Sequence, residues 1–134
     1  LVTGSPDWIE KAGADGFHLE EGIAPVAKAR AAIGPHRLLG VTLDPAAQPP
    51  EDLLQADYLL LPLNWQNPGT LLPRLRQWTE RYPLPVIAGV DPPQELVSHC
   101  LEAGASGIAL SGLVMRAYDR TAMVRTYARA LDLA

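Results

Sequence analysis

Short, nearly all-apolar runs alternate along this chain with longer stretches whose apolar side chains recur every three or four residues. The short runs, Leu1–Gly4, Gly16–Glu20, Arg37–Leu43, Asp57–Leu63, Pro85–Val90 and Gly107–Ser111, have the character of strands covered on both faces. The periodic stretches predict helices over Pro6–Ala12, Ala24–Ile33, Pro50–Gln55, Thr70–Arg81, Pro92–Ala103 and Arg120–Asp132. The fifth carries the fullest set of end signals: Asp91 as N-cap, Pro92 and Pro93 in the first turn, Gln94 three residues after the cap, and Gly104 just past the end. Strand and helix in alternation predict an α/β fold with a parallel sheet and right-handed crossovers.

A repeated junction makes the architecture more specific. Gly13-Ala14-Asp15-Gly16-Phe17-His18-Leu19, Gln55-Ala56-Asp57-Tyr58-Leu59-Leu60-Leu61 and Gly104-Ala105-Ser106-Gly107-Ile108-Ala109-Leu110 each turn a helix into a buried strand. Glycine suits the left-handed position past a helix, alanine lets helix and sheet approach, and Asp or Ser binds backbone groups where the strand begins. Units built alike predict the staves of a TIM-type βα-barrel, with about six of its eight strands present. Right-handed crossovers place every strand's carboxyl end on one rim, which gathers Glu20, Glu21, Thr42, Asp44, Asn64, Trp65, Asp91, Ser111 and Gly112.

Composition narrows the function classes. The 134 residues, 48% of them hydrophobic, predict one domain over 1–134 with a substantial core. A net charge of −4 gives no basic face for nucleic acid, and no apolar run reaches the roughly 20 residues that span a bilayer. The single cysteine, Cys100, sits on an apolar helical face, reads as core and fits a reducing cytoplasm. The chain opens at Leu1 inside an apolar run and without methionine, so residues are expected upstream.

The last two strand ends carry the most interpretable chemistry. Ala88-Gly89-Val90 and Ser111-Gly112-Leu113 end consecutive strands, where barrels bind phosphate through backbone N–H groups and a short helix start. The bland alternative is a pair of tight turns. Glu20 and Glu21, with Asp44 and Asp91 across the rim, are candidate oxygen ligands for Mg²⁺, although their spacing is not a metal motif and rim carboxylates are commonly solvated. His18 alternates with Phe17 and Leu19 and is expected first as a hydrogen-bonded structural histidine, second as an acid or base. Asn64 and Trp65 end the fourth strand; an aromatic there covers a flat ring substrate, lids the mouth or meets a partner chain. The only lysines, Lys11 and Lys28, lie in helical stretches, which argues against Schiff-base chemistry.

At Gly13–Leu19 the sequence resembles the thiamine phosphate synthase/TenI family, whose fourth barrel strand carries Gly-Ala-Asp-Gly-Val-His-Leu. The resemblance continues in order through Leu39-Gly40-Val41-Thr42, Ala56-Asp57-Tyr58, Pro85–Val90 and Gly104–Ala109. It implies a barrel in which Mg²⁺ helps a pyrimidine diphosphate lose pyrophosphate and a thiazole phosphate captures the resulting cation. By position it places the product phosphate on Ala88, Gly89, Val90, Ser111 and Gly112, and a pyrophosphate-facing hydroxyl on Thr42. It also marks departures. Thr3-Gly4 stands for an Asn-Asp pair, Glu20-Glu21-Gly22-Ile23 for Gly-Gln-Glu-Asp, and Asn64–Gly69 for a Thr-x-Thr-Lys run. The tautomerase histidine after the fifth strand aligns near Asp44, leaving Asp44 as a candidate acid or base.

The resulting expectation is a thiamine phosphate synthase/TenI-like domain, an enzyme by descent with its metal and diphosphate machinery degraded. Its expected ligand is a small phosphorylated molecule contacted by Glu20, Asn64 and Trp65. Two alternatives stay open: a non-catalytic phosphate-ligand or interaction module, and another phosphate-handling isomerase or epimerase using Glu20, Asp44 or His18. A homodimer or an upstream segment is expected to cover the open sheet edge.

Overall fold

Successive side chains of a strand point to opposite faces, so parallel strands in register sort their residues into two sheets of contact. The computed structural model describes residues 1–22 and 24–132, and Ile23, the last residue of the departure after the first long strand, lies outside them. Its five strands are β1 (Gly16–Leu19), β2 (Leu38–Thr42), β3 (Tyr58–Pro62), β4 (Val86–Gly89) and β5 (Gly107–Ile108). All neighbours pair in parallel, and spatial order follows chain order. The helices are α1 (Trp8–Ala12), α2 (Val26–Ile33), α3 (Pro68–Arg81), α4 (Val97–Glu102), α5 (Gly112–Arg116) and α6 (Arg120–Asp132).

Register explains where the core lies. Phe17 pairs with Leu39, Val41 with Leu59, and Leu59 with Val86, so these residues share one face with Leu19, Leu61 and Ala88. All eight are buried, packed with Ile9, Val26, Ile33, Leu75, Trp78 and Cys100 from the helices. The opposite face carries His18, Leu38, Gly40, Thr42, Tyr58, Leu60, Ile87 and Gly89 and is much less covered; Leu38 is 50% exposed. Strands buried on both faces were expected, but among the described residues helices cover only one.

Other expectations are corrected at the ends of elements. Leu1–Gly4 makes a single bridge, Val2 to Phe17, before the chain bends into a turn at Pro6-Asp7. The last strand stops at Ile108, and residues from Gly112 form α5, which the sequence pattern did not predict. Pro50–Gln55 is too short to offset helix nucleation and keeps only a 3₁₀ turn at Leu53–Gln55. Asp91 does not cap the helix that follows it. That segment begins as a 3₁₀ turn at Gln94–Leu96 before α4, while the Asp91 carboxylate turns elsewhere. α3 starts at Pro68 instead of Thr70, because a proline's fixed φ suits the first helical position.

One side chain bolts the amino ends of the strands together. Arg30 of α2 donates to the carbonyls of Gly34 (3.1 Å), Arg37 (2.7 Å) and Gln55 (3.0 Å) and to the Asp57 carboxylate (2.8 Å). Asp57 also accepts the Leu39 N–H at 2.7 Å. Burial works against the Asp57 charge, but these hydrogen bonds and the nearby Arg30 charge outweigh it and hold the carboxyl below its ordinary range. The acidic position of the repeated junction thus joins β2 to β3 through α2. Replacing Arg30 with Met keeps the apolar stem, leaves three carbonyls without this donor and leaves Asp57 only the Leu39 N–H. We expect a loss of about 2 kcal/mol or more in urea unfolding.

Candidate active site and anion seat

The less-covered face brings three polar side chains into contact. His18 pairs with Gly40 and Gly40 with Tyr58, so all three lie at one level across β1, β2 and β3. A Cβ on Gly40 would collide with the Tyr58 ring, so glycine is what lets the phenol lie across β2. The Tyr58 hydroxyl thereby reaches His18 Nδ1 at 2.8 Å, and the Thr42 hydroxyl meets Nε2 at 2.7 Å. Burial pushes the His18 pKa below 6.5, opposed by the Glu20 charge. It also raises that of Tyr58, keeping the phenol protonated. A neutral imidazole has one donor and one acceptor nitrogen, and two hydroxyls satisfy both. Tyr58, His18 and Thr42 form a hydrogen-bonded line from the start of β3 toward the strand ends, able to pass a proton along it.

The other predicted rim residues separate into groups. Glu20 is exposed and accepts from the Thr3 hydroxyl at 3.3 Å, and Glu21 is exposed beside it. Among the described residues no three His, Cys, Asp or Glu side chains converge, and Mg²⁺ commonly takes only one or two carboxylates together with substrate phosphates. The Asp44 carboxylate folds back onto its own loop, accepting the Ala46 N–H at 2.8 Å; Asn64 does the same toward Gln66 at 3.1 Å. Both border a cleft of about 360 Å³ with Asn67, Thr70 and Arg74, three residues the sequence reading had not singled out. Trp65 donates its indole N–H to the Val90 carbonyl at 2.7 Å, tying the loop after β3 to the end of β4.

Of the predicted phosphate residues at the ends of β4 and β5, Ser111 bonds to a charge of the chain's own. Ala88 is buried on the helix-facing side, and Gly89 packs against Leu60 and Ala109. Beyond them Asp91 adopts φ +58°. One carboxylate oxygen accepts the Ser111 N–H at 2.6 Å and the other the Leu113 N–H at 3.2 Å. The guanidinium of Arg116 lies over Gly112, where an added Cβ would stand 2.6 Å from one of its nitrogens. Two backbone amides thus hold one carboxylate. Arg116 and the acceptor role of Asp91 were not foreseen; the signal available for Arg116 was a cation four residues after the Gly112 turn, one helical turn away.

The sequence profile of the thiamine monophosphate synthase family matches residues 1–114. The chain belongs to this family. A thiamine-phosphate synthase of Agrobacterium fabrum is 27% identical over 149 aligned positions, covering 100% of this chain and 67% of that protein. Among solved structures, a thiamine phosphate pyrophosphorylase from Pyrococcus furiosus superposes with a TM-score of 0.81 at 24% identity, over 98% of this chain and 66% of that one. A 3-hexulose-6-phosphate synthase superposes at 0.65 with 22% identity, over 93% and 66%. The likeness to these structures establishes a partial βα-barrel fold, and the chain spans about two thirds of the length of the proteins it matches. Arg116 and α6 lie outside the matched residues.

The polar line makes a prediction about pH. A histidine with a lowered folded-state pKa contributes fully to stability above its unfolded value near 6.5, and that contribution falls as pH drops from there through the folded value. By NMR, the His18 ring should titrate with a midpoint below 6.5. Tyr58→Phe should shift the tautomer reported by its ring nitrogens and cost about 1 kcal/mol. A His18 midpoint at or above 6.5 would contradict the burial argument.

Proposed function

We propose that this domain holds a small phosphate ester at the ends of β4 and β5, within a thiamine monophosphate synthase-type site whose coupling of a pyrimidine diphosphate to a thiazole phosphate is weakened or lost. The observation that carries the reading is the pair of backbone N–H groups, of Ser111 and Leu113, that receive an oxyanion at the ends of β4 and β5, in a chain of this family. Thr42, held by His18, offers a hydroxyl toward the mouth. Neutralising a departing pyrophosphate asks for several cations or metal ligands, and among the described residues no three His, Cys, Asp or Glu side chains gather. Any Mg²⁺ requirement belongs to the coupling reaction and not to the proposed binding.

The same reading assigns the domain to thiamine biosynthesis or salvage. It leaves the open sheet edge to an upstream segment or to a second copy of the chain. The buried Cys100 thiol, pushed up to about 11, stays protonated and unreactive, in keeping with the cytoplasmic location we assign. No described helix is long and apolar enough to cross a membrane.

Calorimetric titration with hydroxyethylthiazole phosphate, alongside the unphosphorylated thiazole, tests the binding claim. We expect the phosphate ester alone to bind, and Gly112→Val to weaken it at least tenfold, since the new side chain displaces only the mobile end of Arg116 and should leave the fold intact. Binding of neither compound would refute the phosphate site. Rapid turnover of pyrimidine diphosphate with thiazole phosphate and Mg²⁺ would refute the loss of coupling.

A further inference from the structure

The hydrogen-bonded line on the less-covered sheet face has a direction. Two contacts join it, the Tyr58 hydroxyl to His18 Nδ1 at 2.8 Å and His18 Nε2 to the Thr42 hydroxyl at 2.7 Å, and each can be made with its proton on either side. We propose that Tyr58 is a positioning residue: its hydroxyl donates to Nδ1, the ring proton therefore sits on Nε2 and is donated to Thr42 Oγ1, and Thr42 turns its own hydroxyl proton toward the mouth. This rests on the reading above that Thr42 offers its hydroxyl at the mouth, and it deepens that reading by fixing what Thr42 offers. A ligand has to place an acceptor atom there, and His18 is not a base that makes Thr42 a nucleophile.

Donor strength sets the direction first. A phenol is a stronger donor and a weaker acceptor than an aliphatic hydroxyl, so Tyr58 is suited to donate to the basic ring nitrogen and Thr42 to accept from the ring N–H. Satisfaction of the half-buried groups points the same way. Among the described residues His18 Nδ1 is the only partner of the Tyr58 hydroxyl, so the reverse arrangement would leave the phenol proton without an acceptor from the chain. The Thr42 proton faces the open strand ends instead, where water or a ligand receives it. Charge adds a third contribution. Glu20 follows β1 at the mouth, and its carboxylate acts on the His18 ring, favouring the proton on the mouthward nitrogen, Nε2. Burial keeps the ring neutral, with the single proton that this line requires. Gly40 makes the contact possible, since any side chain there would meet the phenol and push its hydroxyl off Nδ1.

Ring-nitrogen NMR of His18, assigned by the signals lost in His18→Gln and recorded where the ring is neutral, reads the direction without any ligand. We expect a protonated Nε2 and an unprotonated Nδ1 in the wild-type chain. Tyr58→Phe keeps the ring beside Gly40 and removes the donor, and should shift the ratio of the two tautomers toward Nδ1–H by about fivefold, the worth of one hydrogen bond. Thr42→Val, similar in shape and without a hydroxyl, should leave the proton on Nε2. Melting temperatures check that both variants fold, and the wild-type spectrum alone decides the direction if one of them does not. Wild-type His18 protonated on Nδ1, or an unchanged ratio in folded Tyr58→Phe, would overturn the inference. A ratio that changes as much in Thr42→Val as in Tyr58→Phe would assign the direction to Thr42 and overturn it too. Treatment with p-nitrophenyl acetate gives a chemical check by mass spectrometry: Thr42 should stay unmodified, and acetylation of Thr42 that is lost in His18→Gln would show His18 acting as its base and overturn the inference. Failure of the thiazole phosphate to bind would refute the phosphate-site reading alone, because the nitrogen spectra decide the direction of the line independently.

Discussion

The register of the parallel sheet is the constraint from which the rest follows. With Phe17 opposite Leu39 and Leu59 opposite Val86, each strand commits one set of side chains to the helices, and a one-residue slip would exchange the faces. That commitment fixes the other face as well: His18, Gly40 and Tyr58 fall on one level, Thr42 stands two residues nearer the mouth, and Gly89 comes to the rim. Arg30 secures this register at the amino ends, where it holds the starts of β2 and β3 and the turn after α2 through one guanidinium. The apolar core and the polar line are therefore two results of a single pairing pattern.

The rim obeys a second, electrostatic rule. Backbone N–H groups at the start of a short helix need an acceptor, and in a barrel mouth that acceptor can be a ligand or part of the chain. Here the chain supplies it, from a residue 20 positions earlier, at the end of the neighbouring strand. Trp65, Ala109 and Tyr127 hold the backbone around that residue, so the loops after β3 and β4 and the helix α6 all converge on the seat. His18 lies apart from it, on β1, which separates the anion-holding end of the rim from the end able to move a proton.

The sequence made the repeating units legible because their signals are local. The junctions at Gly13 and Gly104 do adopt positive φ, and the apolar spacing of Leu71, Leu75 and Trp78 marks the buried face of α3. The pairing of His18 with Thr42 on one rim was also within reach, since both were candidates on consecutive long strands. What escaped depended on contacts distant in sequence. Asp91 followed by Pro92, Pro93 and Gln94 has the appearance of a local cap, yet its positive φ directs the carboxylate to Ser111 and Leu113. Tyr58 was read only as part of a junction, because its role requires knowing that Gly40 lies beneath its ring. Leu1–Gly4 has strand composition but pairs at one residue only.

The central claim is that an acidic side chain of the domain sits on the amides of its anion seat. The amide proton shifts of Ser111 and Leu113, followed by NMR as the carboxyl groups are titrated, measure it most directly, because an amide bonded to a carboxylate responds when that carboxylate takes up a proton. Both amides are expected to move together, and the movement is expected to vanish in Asp91→Asn. Two amides that stay still through the titration, or that move unchanged in Asp91→Asn, would contradict it.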